Sequence, residues 1–407
     1  MVDLVARPEY LGWLRRWRDH DLIKVVTGVR RCGKSTILDQ FAAELRTEGI
    51  PSERIVSLNL EDPAHRDLLN DPYQLYDHVV AQLATEGRHY VILDEVQRVR
   101  DFQVAADGLF VHPQVDLYLT GSNAWLLSGD LATLLSGRHI ELAMLPLSFA
   151  QWWTAHTGGL TAEMADASRD RFLVEYLELG GFPYTLRLDA DPAAIHEYLR
   201  SLTDTVLVKD VMDRRQIRDT SVFEKVVTFL ADNIGNLTCP KAVADALTSA
   251  GRKTTQATVE SYLSGLTEAC LVYSCPRFDV RGKRLLSRVG KYYLVDPGLR
   301  TALLGAVRDQ GRILENVVFL ELVRRGLSPR VGVVGTREID FVTSSPGGLG
   351  YVQVAASVRD PATLERELAS LKAAPGYHPR LLLTFDPGTF DHDGITQRNV
   401  ADWLLDG

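Results

Sequence analysis

Cysteine is scarce, and none of it is arranged for metal or disulfide chemistry. The four residues, Cys32, Cys239, Cys270 and Cys275, form no Cys-x-x-Cys pair and have no histidine close by, which argues against a zinc site. They read as reduced thiols of a cytoplasmic protein. No apolar run reaches the ~18 residues that a membrane-spanning helix needs, so no membrane partner is expected. The N-terminus lacks a basic region followed by an apolar run, so no secretory signal is expected either. Positive charge is also in deficit. The formal net charge is −8, which excludes a whole-chain basic field for nucleic acid and leaves only a local patch for that purpose. Low-complexity tracts and internal repeats are absent. What is there is a chain of 407 residues, 45% of them hydrophobic, enough for two or three domains with real cores.

The most informative stretch is Gly28-Val29-Arg30-Arg31-Cys32-Gly33-Lys34-Ser35-Thr36, a complete Gly-x4-Gly-Lys-Ser phosphate loop. Leu22 to Thr27 has strand composition, and Ser35 to Leu45 has helical periodicity through Ile37, Leu38, Phe41 and Leu45. The loop therefore sits on a strand-to-helix corner. Its glycines let backbone N–H groups curl around an anion, and the helix start points its positive dipole end at the same phosphates. Lys34 is placed to reach the β- and γ-phosphates, and the Ser35 hydroxyl to ligate Mg2+.

Tyr90-Val91-Ile92-Leu93-Asp94-Glu95 is an apolar run ending in two carboxylates, as a strand buried in a parallel sheet would be. Ligands of such sheets bind at the carboxyl ends of the strands. Asp94 is thus expected to hold Mg2+ through water, and Glu95 to polarise the attacking water as a general base. Leu117 to Asn123 is a third strand-to-loop transition. Ser122 and Asn123 are candidates to touch the γ-phosphate or orient the water, the alternative being a polar turn. Asn59, at the end of the strand Arg54 to Leu58, either pairs with Glu95 or belongs to a simple turn.

Strands and helices alternate up to about residue 155, the pattern of an α/β parallel sheet with helices on both faces. Met144 to Phe149 reads as the last strand and the exit. Residues 156–220 read as a helical lid and linker, broken at Gly180-Gly181-Phe182-Pro183, with the charged tract Lys209 to Arg218 joining two domains. Residues 221–300 read as a winged helix-turn-helix. A helix spans Ser221 to Ile234, a second starts at Pro240, a third starts near Thr254, and a hairpin turns at Arg281 to Arg284. Residues 241–292 carry nine basic side chains against four acidic ones, a local +5. The expected DNA contacts are Gln256 and Thr258 with the neighbouring Ser261 on the third helix, and Arg277, Arg281, Lys283, Arg284 and Lys291 around the hairpin. A winged unit used only for subunit contacts is the alternative.

Residues 301–407 read as a third unit. Glu315 lies on a helix, Asp340 in a following strand, and Gln353-Val354-Ala355 in the next, the layout of a restriction-endonuclease-like core. The catalytic lysine position of that layout is Ala355, and Gln353 stands where an acid is needed, so nuclease activity is not expected. A lysine relocated to the next helix, such as Lys372, is the exception that would restore it.

Together these motifs resemble the bacterial and archaeal AAA-type ATPases that carry a C-terminal domain of unknown function. The resemblance rests on the phosphate loop, Leu93-Asp94-Glu95-Val96-Gln97, Thr120-Gly121-Ser122, Leu145-Pro146-Leu147-Ser148-Phe149, Gly180-Gly181-Phe182-Pro183, Arg281-Gly282-Lys283-Arg284 and Lys291-Tyr292-Tyr293-Leu294-Val295-Asp296. It covers nearly the whole chain. It implies ATP as the nucleotide, flanked at the adenine by Arg7 and Tyr10, with Gly181, Phe182 and Pro183 folding over it. It also implies Arg138 as an arginine supplied to a neighbouring subunit's γ-phosphate, unless Arg138 is merely a surface residue. The expected function is a ring-forming homo-oligomeric ATPase acting on DNA, branched DNA such as four-way junctions included, in repair or recombination. The rival is a regulatory switch whose nucleotide state controls recruitment of protein partners in defence or stress.

Overall fold

A computed structural model describes residues 5–83, 86–122, 137–305 and 309–406. The chain divides into two compact units, Asp3–Leu145 with Glu268–Cys270, and the remainder from Pro146 onward. Among the described residues no helix is long and apolar enough to cross a membrane.

The first unit is built on five strands, β1 (Ile23–Gly28), β2 (Ile55–Asn59), β3 (His89–Asp94), β4 (Val115–Gly121) and β5 (His139–Met144). They run parallel in the order β2-β3-β4-β1-β5. Every residue of β1, β3 and β4 is buried, whereas the edge strands β2 and β5 alternate. Central strands of a parallel sheet are covered on both faces and so are mostly apolar, Lys24 and Asp116 being buried exceptions. One face is covered by helices Pro72–Val80 and Phe102–Phe110, whose Leu75, Val79, Phe102 and Leu109 pack on Val56, Val91, Leu93, Leu117 and Leu119. Helix Lys34–Thr47 buries Ile37, Leu38, Phe41 and Leu45, with the Phe41 ring 5.2 Å from that of Tyr118. The last strand ends at Met144, so Leu145 to Phe149 is the exit alone.

Beneath the strand starts lies a buried ion pair. Lys24 and Asp116 are both 0% exposed in their side chains and are in direct contact. Asp116 Oδ2 also accepts from Tyr118 OH at 2.8 Å and from the Asp19 N–H at 2.9 Å, and Lys24 Nζ donates to the His20 carbonyl at 2.7 Å. Such added hydrogen bonds offset part of the desolvation cost of a buried pair.

In the second unit, the helix Phe149–Thr157 starts at a capping box between Ser148 and Gln151. The charged tract from Lys209 starts inside the region read as helical. It continues helix Pro192–Thr205 as a π-helical stretch, Val206–Met212, that buries Val206, Leu207 and Val211. Three helices follow, Thr220–Asp232, Pro240–Ser249 and Gln256–Glu268, then a hairpin of β6 (Val272–Asp279) and β7 (Arg284–Leu294).

The remaining strands are β8 (Arg330–Val334), β9 (Arg337–Ser345), β10 (Gly348–Val354), β11 (Arg380–Thr384), β12 (Thr389–Asp391) and β13 (Thr396–Asn399). The sheet order is β12-β13-β11-β10-β9-β8-β6-β7. Strands β8, β9 and β10 are antiparallel neighbours, and β11 joins β10 in parallel after helix Pro361–Lys372. The hairpin is not a free wing. Arg277, Phe278 and Asp279 of β6 pair in parallel with Val331, Gly332 and Val333 of β8, so hairpin and C-terminal strands form one eight-stranded sheet.

Removing one partner of the Lys24–Asp116 pair leaves a buried charge unpaired. Asp116→Ala should therefore destabilise the protein by about 3–5 kcal/mol in urea denaturation. A loss below ~1 kcal/mol would show that the pair is incidental to stability.

Candidate nucleotide site

The phosphate loop leaves β1 at Gly28, where φ is +146° and a Cβ would lie 2.3 Å from the Met144 carbonyl oxygen. Only glycine fits that approach. Gly33, with φ +106°, caps the helix that Lys34 begins. Two side chains brace the loop from behind. Arg7 donates to the Cys32 carbonyl at 2.8 Å and to the Leu145 carbonyl at 2.6 Å, and Tyr10 OH accepts from the Leu145 N–H at 3.2 Å. The Arg7 guanidinium lies 4.4 Å from the Tyr10 ring centroid. Both residues are buried.

The Lys34 ammonium is turned onto the Gly28 carbonyl at 3.0 Å, with Glu95 Oε1 at 3.5 Å. Burial disfavours its charge, but Cys32, Glu95 and Asp94 outweigh that and hold its pKa above the usual lysine value. Ser35 Oγ donates to Asp94 Oδ2 at 2.7 Å, and Thr120 Oγ1 donates to the other oxygen, Asp94 Oδ1. Thr120 Oγ1 in turn accepts the Glu95 N–H at 2.9 Å. Glu95 adopts a left-handed conformation, φ +55°, and its Oε2 accepts from Gln97 Nε2 at 2.5 Å. The same Gln97 nitrogen donates to Ser122 Oγ at 3.2 Å. Burial pushes the Glu95 carboxyl up, but Lys34, Gln97, Arg30 and Ser122 outweigh this and hold it below the ordinary glutamate value.

Thr120 and Gln97 lie in the quoted motifs, but the sequence reading gave neither a role. β4 lies between β1 and β3, which brings the end of β4 between the loop and the two acids. Nothing local in the sequence announces that order. Ser122 is buried beside Gln97, while Asn123 lies outside the described residues. Asn59 caps its own turn by accepting the Glu61 N–H at 2.9 Å, and Glu61 pairs with Arg30 at 2.8 Å. Arg31 is exposed with φ +68°, and Ser35 and Thr36 are exposed at the helix start, open to an anion.

A triphosphate with Mg2+ fits this residue set. The loop carries glycines at Gly28 and Gly33, and beside it stand an ammonium, a hydroxyl and a carboxylate hydrogen-bonded to that hydroxyl.

The remaining expected positions have the following surroundings. Arg138 is half exposed, with Asp107 2.5 Å away and the Phe110 ring beneath it at 5.7 Å. Its carbonyl accepts the Ile23 N–H at 2.8 Å, which puts it at the start of β1, about 20 Å along the strand from the loop. In the second unit, Gly181 N–H donates to Asp296 Oδ2 at 2.6 Å and Gly181 carbonyl accepts from the Leu147 N–H at 2.7 Å. Phe182 is fully buried and Pro183 partly so. Burial pushes the Asp296 carboxyl up to about 7, against the pull of the Gly181, Gly298 and Leu299 N–H groups.

The basic segment needs one correction. Lys291 is 3% exposed in its side chain and pairs with three carboxylates, Glu315 at 2.7 Å, Glu338 at 2.9 Å and Asp340 at 3.2 Å, so it cannot meet a DNA phosphate. Counting charge along the sequence treats every lysine as exposed, and this one points into the sheet's packing. Arg281 and Lys283 are exposed in the β6–β7 turn and Arg277 is half-buried, while the side chain of Arg284 lies outside the described ones. Gln256 is exposed but donates to Glu260 at 2.8 Å, and the Thr258 hydroxyl bonds that of Thr255 at 2.9 Å. Lys372 pairs with Asp393 at 3.2 Å and is half exposed.

A family model described as an AAA domain matches residues 20–152, and one described as a domain of unknown function (DUF8612) matches residues 170–310. An uncharacterized protein of Methanocaldococcus jannaschii is 28% identical over 334 residues, covering 79% of this chain and 71% of that protein. Among solved structures, the Aeropyrum pernix ORC2 protein shares 13% identity, covers 78% of this chain and 92% of that chain, and superposes at a TM-score of 0.36, which decides nothing. An uncharacterized protein of Haemophilus influenzae is 35% identical over 408 residues, covering 99% of each chain. The chain belongs to the same family as that Haemophilus influenzae protein, with an AAA domain carrying the phosphate loop and a domain of unknown function after it.

Proposed function

We propose that the chain binds ATP with Mg2+ at Gly28 to Thr36 and hydrolyses it to ADP and phosphate. The observation that carries this reading is the Asp94 carboxylate, held on one oxygen by Ser35 and on the other by Thr120, with Glu95 fixed next to it. When bound, Mg2+ would supply positive charge against the charge that develops on the phosphate in transfer. Ser35 and Asp94 are the residues that would hold it. The backbone N–H groups of the loop and the Lys34 ammonium bind the phosphates. Glu95, ionised at neutral pH and oriented by Gln97, accepts the proton of the attacking water.

Glu95→Gln keeps the shape of that side chain and removes the base. Turnover should fall by about 10²–10⁴-fold with ATP affinity retained, measured by phosphate release and equilibrium binding. Normal turnover in this variant would refute the role. The place of Arg138 at the far end of the sheet from its own loop suits a group offered to a neighbouring copy in a ring. Arg138→Ala should then lower turnover at unchanged ATP affinity, and a loss of affinity alone would contradict a role in trans.

The finer part of the reading is action on DNA, branched DNA included, through the exposed Arg281 and Lys283 and the exposed start of helix Gln256–Glu268. The order helix, three antiparallel strands, helix, parallel strand over residues 310–384 supports a restriction-endonuclease-like core. Ala355 in place of its lysine supports a core without nuclease chemistry. Duplex and junction binding should fall with salt, and Arg281→Ala and Lys283→Ala should each reduce the logarithmic salt slope by about 1. A protein that binds neither at low salt, and whose turnover DNA leaves unchanged, is the nucleotide-controlled switch instead.

A further inference from the structure

Arg30 lies inside the phosphate loop, and its side chain reaches across the sheet. Its guanidinium donates to Glu61 Oε1 at 2.8 Å. The loop follows β1 and Glu61 follows β2, and the strand order puts β4 and β3 between them. Neighbouring strands are ~4.8 Å apart, so the contact bridges about 14 Å of sheet. The strand ends it crosses carry Thr120, Asp94 and, just beyond, Glu95.

The Glu61 end of the bridge is fixed in place. Asn59 faces Asp94 in the β2–β3 register, the Leu60 N–H donates to the Asp94 carbonyl at 3.0 Å, and the Glu61 N–H donates to Asn59 Oδ1 at 2.9 Å. Charge reports the same neighbourhood. Burial raises the Glu95 carboxyl, and Lys34, Gln97 and Arg30 bring it below its ordinary value, so the guanidinium acts on the acid placed to activate water.

Arg30 and Lys34 are held differently. The Lys34 ammonium is buried, on the Gly28 carbonyl. The Arg30 side chain keeps 16% of its exposure and its partner Glu61 keeps 41%. An ion pair that open to water is worth about 0–1 kcal/mol. A terminal phosphate carries more charge and offers paired oxygens to the planar fork, so it is the stronger partner.

We infer that Arg30 is a catalytic residue of the nucleotide site, whose guanidinium leaves Glu61 for the γ-phosphate of ATP and stabilises the charge that develops there during cleavage. The inference rests on the proposed ATP hydrolysis beside Glu95, and it gives each copy of the chain an arginine of its own at that phosphate. In the step a water oxygen bonds to the γ-phosphorus, the bond from that phosphorus to the β–γ bridging oxygen breaks, ADP leaves, and a proton of the water passes to Glu95. Arg30 contributes charge and hydrogen bonds and exchanges neither proton nor electron.

Phosphate release and equilibrium binding of ATP and ADP, on full-length wild type, Arg30→Ala and Glu61→Gln, test this. Arg30→Ala should lower kcat by about 10²–10³-fold, the usual loss of one donor to a transition-state charge, with ADP affinity unchanged. Fluoroaluminate, a mimic of the phosphate in transfer, should tighten ADP binding to the wild type and fail to do so in Arg30→Ala. Glu61→Gln, which frees the guanidinium, should bind ATP more tightly, by up to about fivefold. A wild type that releases phosphate and an Arg30→Ala variant that matches its kcat overturn the role of Arg30 and leave the ATPase reading standing. So does a Glu61→Gln variant that loses turnover as Arg30→Ala does, because cleavage then needs the ion pair itself. No release from the wild type is the failure of the ATPase reading, and the role of Arg30 falls with it.

Discussion

Asp94 accepts Ser35 Oγ at 2.7 Å on one carboxylate oxygen and Thr120 Oγ1 on the other. Three separate segments, the start of the phosphate-loop helix, the end of β3 and the end of β4, are therefore held by a single side chain. The Thr120 hydroxyl passes the constraint on, because it also takes the Glu95 N–H and so fixes the left-handed turn that aims the second acid. A left-handed non-glycine residue is unfavourable on its own and persists where its surroundings determine it. Here they do so with a hydroxyl on the backbone, Gln97 on the carboxylate and Lys34 3.5 Å away.

The strand order makes that node possible. With β4 inserted between β1 and β3, the loop after β1 and the acids after β3 are separated by one strand, and the polar residue ending that strand stands between them. The braces behind the loop matter for the same reason. Arg7 and Tyr10 lie far from Leu145 in sequence, yet they satisfy the backbone groups of the loop and of the exit from β5. Buried carbonyls and N–H groups left without partners would cost about 1–3 kcal/mol each.

Much of the site was legible because its signal is local. Glycines, lysine and serine at fixed offsets on a strand-to-helix corner specify the loop, and an apolar strand ending in Asp94-Glu95 specifies the acids. Thr120 and Gln97 were not legible as partners, since their role depends on which strands become neighbours. Lys291 was misread for a related reason. A strand residue faces one side or the other, and the sequence around Lys291 does not say which side holds Glu315, Glu338 and Asp340, which arrive from 24 to 49 residues away. The charge of the tract from Lys209 does not show where its helix ends, and Val211, buried within it, keeps its first residues in the stretch Val206–Met212. The hairpin looked like a wing because its own strands pair, and only the pairing of Arg277 to Asp279 with Val331 to Val333 reveals the larger sheet.

The central claim is that a triphosphate is held at the Gly28 to Thr36 loop and cleaved beside Asp94 and Glu95. Its most direct test is steady-state release of inorganic phosphate from ATP by the purified wild-type chain, with magnesium and with a chelator in its place. The account predicts release that requires the metal and saturates with ATP. No release above background, with magnesium present and with duplex or junction DNA added, would contradict it.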